Sequence, residues 1–149
     1  MQVATASDDG TARVWEAPAG ACLFILKGHG GPLVAARWCP DGSRLLATAS
    51  MDGTARLWQF QQQEETGKWV SQCVNTLEGH GGSLTDLVFD RCGGVLATTS
   101  EDKTARALFS KDPAETPVEL KRSLLESPWN LRTLLKPLLN LRGANRNPC

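Results

Sequence analysis

Histidine is scarce in this chain, two residues in 149, and no Cys-x-x-Cys pair occurs. Metal sites and acid–base centres need such side chains in a cluster. His29 and His80 instead stand 51 residues apart in equivalent contexts, so both read as structural. The five cysteines, Cys22, Cys39, Cys73, Cys92 and Cys149, are odd in number and widely spaced. A disulfide framework in a short secreted chain would want an even set. They read as thiols of an intracellular protein, cytoplasmic or nuclear. No basic-then-apolar segment opens the chain and no apolar run reaches 18 residues, so nothing marks secretion or a membrane-spanning helix. Nor is there an excess of positive charge. The 16 basic and 16 acidic residues divide into a balance of −3 over residues 1–109 and +3 over 110–149. Nucleic-acid-binding domains carry a strong basic excess, so nucleic acid is expected only as an indirect partner, and a membrane not at all.

Repetition is what the chain does have. ATASDDGTARVW at 4–15 returns as ATASMDGTARLW at 47–58, identical at ten of twelve positions, and weakened as ATTSEDKTARAL at 97–108. Gly28-His29 and Gly79-His80 precede the second and third copies in nearly constant phase. The interval is 29 residues from His29 to Trp58 and 28 from His80 to Leu108. Self-similarity at 40–50 residues marks a stack of one small unit, which buries its faces only against its neighbours.

The most complete unit begins at Gly28. Leu33–Trp38 is an apolar run that reads as a buried strand. Pro40-Asp41-Gly42 is a turn, Leu45–Ser50 a second strand, and Asp52-Gly53 a tight hairpin. Residues 54–58 form a third strand, with Thr54, Arg56 and Trp58 on one face. A polar insert at 59–68 reads as a solvated loop before a fourth strand at Trp69–Leu77. The third unit predicts strands at 83–89, Val95–Ser100 and 104–109, with Asp102-Lys103 in place of Asp-Gly. Val118–Leu120 is only a poor fourth strand. Farther on, Leu131, Leu134, Leu135 and Leu138 fall at helical spacing behind a Ser127-Pro128 cap, and the last residues from Gly143 read as disordered.

The Gly-His pairs, the Ser-x-Asp-Gly-Thr-Ala-Arg-x-Trp segment and their spacing resemble the WD40 repeat of β-propeller proteins. The resemblance covers residues 1 to about 109, roughly two and a half repeats. It implies an all-β fold: a partial, open propeller of antiparallel four-stranded blades with an off-pattern, partly helical C-terminal tail. The expected divisions are a partial first repeat at 1–27, a second at 28–78 with its insert at 59–68, a degenerate third at 79–109, and a non-repeat, partly disordered tail at 110–149.

The resemblance also implies a hydrogen-bonded set of side chains in each blade. In the second unit the set is His29, Ser50, Asp52 and Trp58. In the first it is Ser7, Asp9 and Trp15, without a histidine. In the third it is His80, Ser100 and Asp102, incomplete because Leu108 has no N–H to donate. The expected role is stability. Ser50, Asp52 and His29 have the residue types of a hydrolase triad, but no Gly-x-Ser-x-Gly turn accompanies them. The glycine-rich stretches at 28–31 and 79–82 lack the Gly-Lys-Ser/Thr of a phosphate loop. Asp8-Asp9 and Glu101-Asp102 lack the twelve-residue calcium pattern. No catalytic residue, metal or cofactor is expected.

A propeller closes with four to eight blades, and two and a half repeats do not. The chain is therefore expected to be a fragment or shortened form of a larger propeller, with ring completion by other chains left open. The family's usual work is non-enzymatic gathering of proteins and peptides, so a protein-interaction scaffold is the leading reading. The expected contact positions are Asp8, Met51 and Glu101, equivalent turn residues of differing chemistry on the rim shared by the Gly-His loops. The alternatives are a WD-repeat portion of a nucleoprotein or chromatin complex meeting RNA or histone, and an enzyme on a propeller scaffold.

Overall fold

The computed structural model describes residues 1–109 and, for their backbone, 118–120. The helical spacing at 131–138 and the reading of the last residues lie outside the described residues. Three antiparallel sheets are present, and no helix occurs among the described residues. The first sheet holds β1 (Gln2–Ala6), β2 (Ala12–Glu16) and β3 (Ala21–Leu26). The second orders β4 (Leu33–Trp38), β5 (Leu45–Ser50), β6 (Ala55–Gln62) and β7 (Trp69–Leu77) as a meander. The third repeats that order with β8 (Leu84–Phe89), β9 (Val95–Ser100), β10 (Ala105–Phe109) and β11 (Val118–Leu120).

Two features depart from the sequence reading. The first four residues of the stretch 59–68 are strand, because Gln59, Phe60, Gln61 and Gln62 pair with Gln72, Ser71, Val70 and Trp69. Only 63–68 is a turn, closed by Gln62 Nε2 donating to the Gly67 carbonyl at 2.7 Å and by Gln63 N to Lys68 O at 2.9 Å. Backbone pairing offsets the poor β-propensity of consecutive glutamines. The poor fourth strand expected at Val118–Leu120 is present as the outer strand of the third sheet, so the blade extends past residue 109 into the stretch read as a non-repeat tail. Ala105 pairs with Leu120, Arg106 with Glu119 and Ala107 with Val118.

The sheets stack face to face around two cores. Ala12, Val14 and Leu26 of the first sheet pack on Leu33, Leu46, Trp58 and Phe60 of the second. The opposite face of the second, with Ala35, Ala47, Ala49, Ala55 and Leu57, meets Leu84, Leu87, Leu96 and Leu108 of the third. Alanines against leucines let the backbones approach closely at native density. All six residues of β5 are buried, because this strand lies inside the sheet that is covered on both sides. Among the described residues, nothing covers the outward face of the first sheet in this way. Val3 is 41% exposed, whereas Leu46 at the same repeat position is 0% exposed. Cys22, Cys39 and Cys73 carry free thiols, and Cys92, expected as a thiol, is disulfide-bonded.

Candidate interaction rim

Each Asp-x hairpin between the second and third strands of a unit is pinned by its own short side chains. Asp52 Oδ1 accepts from Thr54 N at 2.8 Å and from the Thr54 hydroxyl at 2.7 Å. Asp9 with Thr11, and Asp102 with Thr104, repeat the arrangement. These are aspartate turns in which the side chain satisfies backbone donors two residues on. The other oxygen of Asp52 reaches the Gly-His loop, taking Gly30 N at 2.8 Å and His29 Nδ1 at 3.0 Å. The third unit places Asp102 against Gly81 N at 2.8 Å and His80 Nδ1 at 2.9 Å. The Gly-His loops and the hairpins therefore share one rim.

The hydroxyl that continues the chain belongs to threonine, not to the serine named from the sequence. His29 Nε2 lies 2.8 Å from Thr48 Oγ1, which accepts Trp58 Nε1–H at 2.9 Å. Register gives the reason. Leu46 stands opposite Trp58, and Thr48 is the next residue on that face, within diagonal reach of a large indole. Ser50 lies one more step along and serves the backbone instead. Its hydroxyl donates to Gly31 O at 3.0 Å and accepts Asp52 N at 3.1 Å. Ser100 does the same with Gly82 O and Asp102 N, and Ser7 accepts Asp9 N at 3.3 Å. Thr5, Thr48 and Thr98 occupy the same place in all three copies, so the signal was present but masked by the serine beside the hairpin.

Proton roles follow from the inventory of donors. An ionised Asp52 only accepts, so His29 Nδ1 carries the proton and Nε2 accepts from Thr48. The bonds run one way, from Trp58 through Thr48 and His29 to Asp52. Burial pushes the His29 imidazole toward its neutral form, aided by the charge of Arg56 and opposed by Asp52. Burial also acts to raise the Asp52 pKa, but it is outweighed by donors from Thr54, Gly30 and His29, which hold this carboxyl at about 2. The same balance, with Thr104, His80 and Gly81 as donors, keeps Asp102 well below the usual carboxylate range.

The sets in the other units are shorter. His80 Nε2 meets Thr98 Oγ1 at 3.0 Å, and the chain ends there because Leu108 replaces the indole. In the first unit Trp15 Nε1 donates to Thr5 Oγ1 at 2.9 Å with no histidine beyond it, and Asp9 instead faces Arg13 at 3.9 Å. The arginine on each third strand shapes the glycine of the Gly-His pair. A Cβ on Gly28 would stand 2.6 Å from the Arg56 guanidinium, and Arg106 crowds Gly79 in the same way. Both glycines also have positive φ, +148° and +115°, so a side chain there is strained by the backbone and would have to displace the arginine's guanidinium.

Asp8, Met51 and Glu101 open the three hairpins and are exposed, Met51 at 52%. Met51 N donates to Pro32 O and Glu101 N to Ser83 O, both at 2.9 Å. Their backbones are therefore anchored while their side chains face solvent. Among the described residues no group of three or more His, Cys, Asp or Glu is placed to hold a metal, and no helix is long and apolar enough to cross a membrane.

The family model described as WD domain, G-beta repeat matches residues 1–16, 20–59 and 71–107, more than half of the chain. The chain is also similar to a protein named Ribosome assembly protein 4 from Chaetomium thermophilum, 46% identical over 44 residues. That match spans 30% of this chain and 8% of the relative's length.

Proposed function

The chain belongs to the WD40-repeat family, and from that premise we propose that it is a non-enzymatic platform for protein–protein interaction, a fragment or shortened form of a larger propeller. The observation that carries this reading is the rim. Three rigid hairpins of one design present an acid at Asp8, a thioether at Met51 and an acid at Glu101, all exposed. A pre-organised backbone lowers the ordering cost of binding, and differing side chains on equal supports supply specificity. Methionine is a soft contact common at adaptable binding surfaces. The buried histidines are each occupied by Asp and Thr partners, which supports a structural role for them. An intracellular location belongs to the same proposal; the free thiols of Cys22, Cys39 and Cys73 support it, and the disulfide-bonded Cys92 counts against it.

A second reading has one observation in its favour, the similarity to a protein named for ribosome assembly. In that reading the chain is the WD-repeat portion of a nucleoprotein complex. Residues 1–109 have a balance of −3, and the rim carries Asp8, Asp9, Asp52, Glu101 and Asp102, which disfavours direct contact with phosphates. RNA would then be met through a protein partner. A photo-crosslinking residue placed at Met51, with a control at Gln63 on the opposite side, tests both readings in cell extract. The platform predicts nuclease-resistant adducts to protein from position 51, lost in the Asp8→Lys/Glu101→Lys variant. Adducts from Gln63 alone would overturn the rim assignment. Adducts abolished by nuclease would favour the nucleoprotein reading.

A further inference from the structure

Five tryptophans and four phenylalanines are all the aromatics of this chain, and four of them meet at the side away from the Asp-x hairpins. There, between the first and second sheets, a cavity of about 220 Å³ is lined by Gln2, Phe24, Arg44, Phe60 and Trp69. Its place follows from register. Gln2 begins β1, Arg44 ends the β4–β5 turn, and Trp69 opens β7 opposite Gln62 on the extended hairpin. Phe24 and Phe60 stand edge to face at 5.0 Å, and Trp38 leans on Phe60 at 5.2 Å. The Trp38 indole N–H is buried without an acceptor among the described residues.

Three aromatic walls would suit a cation, but the site already holds one. The Arg44 guanidinium stacks over the Trp69 ring at 4.3 Å. A positively charged ligand would have to displace it or meet its charge at close range. Arg44 makes no ion pair or side-chain hydrogen bond among the described residues, so its donors are free for an acceptor. Its backbone is fixed for the task, since Arg44 adopts φ +56° and its carbonyl accepts Phe60 N–H at 3.2 Å. The Gln2 carboxamide adds a second polar group to the lining. Trp69, although large and apolar, is 43% exposed. A cavity of 220 Å³ falls below the roughly 300–1,000 Å³ of small-molecule sites, which fits one large side chain better than a whole cofactor.

We propose that this cavity is a second binding site, for a peptide segment that places an aromatic side chain in the space lined by Phe24, Phe60 and Trp69 and gives the adjacent carboxylate to Arg44. Aromatic and arginine anchors in a desolvated pocket are the usual centres of binding energy at interfaces. A planar guanidinium matches a carboxylate in two parallel hydrogen bonds. The site is separate from the hairpin rim and does not depend on it.

The probe is acetyl-Ala-Phe-Asp-Ala-amide, titrated to millimolar concentration against the labelled full chain while the Trp69 indole N–H resonance is followed. That resonance is assigned by its loss in Trp69→Phe. The Phe-Asp peptide shifts it, and the Phe-Asn and Ala-Asp peptides bind at least about tenfold more weakly, as expected for loss of a charge-assisted bond or of the anchor. Arg44→Gln, checked for an unchanged backbone spectrum, brings the Phe-Asp affinity down to the Phe-Asn value and leaves the Phe-Asn affinity alone. Equal binding of the Asp and Asn peptides, tighter binding of a Phe-Lys peptide, indifference to Arg44→Gln, or no shift with any peptide would each overturn the assignment.

Discussion

Replacing Thr48 by valine removes one hydroxyl and keeps the side-chain shape. That hydroxyl serves two partners, accepting Trp58 Nε1–H at 2.9 Å and facing His29 Nε2 at 2.8 Å. Thr48 is 0% and Trp58 5% exposed, so water does not take its place. A buried polar group left without a partner costs about 1–3 kcal/mol, and two are left here, giving about 2–6 kcal/mol. The repeat supplies its own controls. Thr98→Val strands His80 alone, since Leu108 makes no such bond, and costs about 1–3 kcal/mol. Thr5→Val removes an exposed hydroxyl whose partner Trp15 is reachable by water, and costs about 0.5 kcal/mol or less. Urea unfolding followed by tryptophan fluorescence reads the series as midpoints at constant slope. The order Thr48, Thr98, Thr5 is required. Equal losses in all three, or a smaller loss for Thr48→Val than for Thr5→Val, would refute the one-way chain of bonds.

Other outcomes follow from the same geometry. The His29 pKa is depressed in the folded state, so folding favours its neutral form and stability declines as pH falls below about 6.5. Asp52, held at about 2, adds stability that is complete above about pH 4 and is lost as pH falls toward 2. Acid titration of unfolding therefore shows two successive losses, and Asp52→Asn shrinks the lower one, to which Asp102 also contributes. Gly28→Ala meets Arg56 at a positive φ and destabilises by about 1–3 kcal/mol. Gly30→Ala, where the nearest atom outside its chain neighbours is Asp52 Cβ at 3.9 Å, stays within about 0.5 kcal/mol by the same urea measurement. Trp58→Ala costs about 3–5 kcal/mol, and Trp15→Ala, on the uncovered face, costs distinctly less in thermal unfolding.

The strands were legible because their turns are chemically explicit. Asp41-Gly42 and Asp52-Gly53 close hairpins by known backbone preferences, and the alternation in 54–58 fixes which residues share a face. The Gly-His spacing carried enough information to join loop and hairpin on one rim. The choice between Thr48 and Ser50 was not legible, because it turns on which residue stands diagonally from Trp58 once β5 and β6 are in register. Gln61 and Gln62 disguised a strand, because their pairing to Val70 and Trp69 is tertiary and their propensity is poor. Val118–Leu120 was legible only as a poor fourth strand, because three residues are too short to show a period; it pairs with β10. The aromatic cavity draws on residues 2, 24, 44, 60 and 69, and no local pattern brings these together.

The central claim is that consecutive repeats stack as blades, with the second covered on both faces and the first on one. Hydrogen–deuterium exchange of the intact chain, resolved to peptides, tests this most directly. The account predicts the slowest exchange in β5, where every residue is buried, and markedly faster exchange in β1, whose outward residues Val3 and Thr5 are exposed. Peptides from β5 that exchange as fast as those from β1 would contradict it.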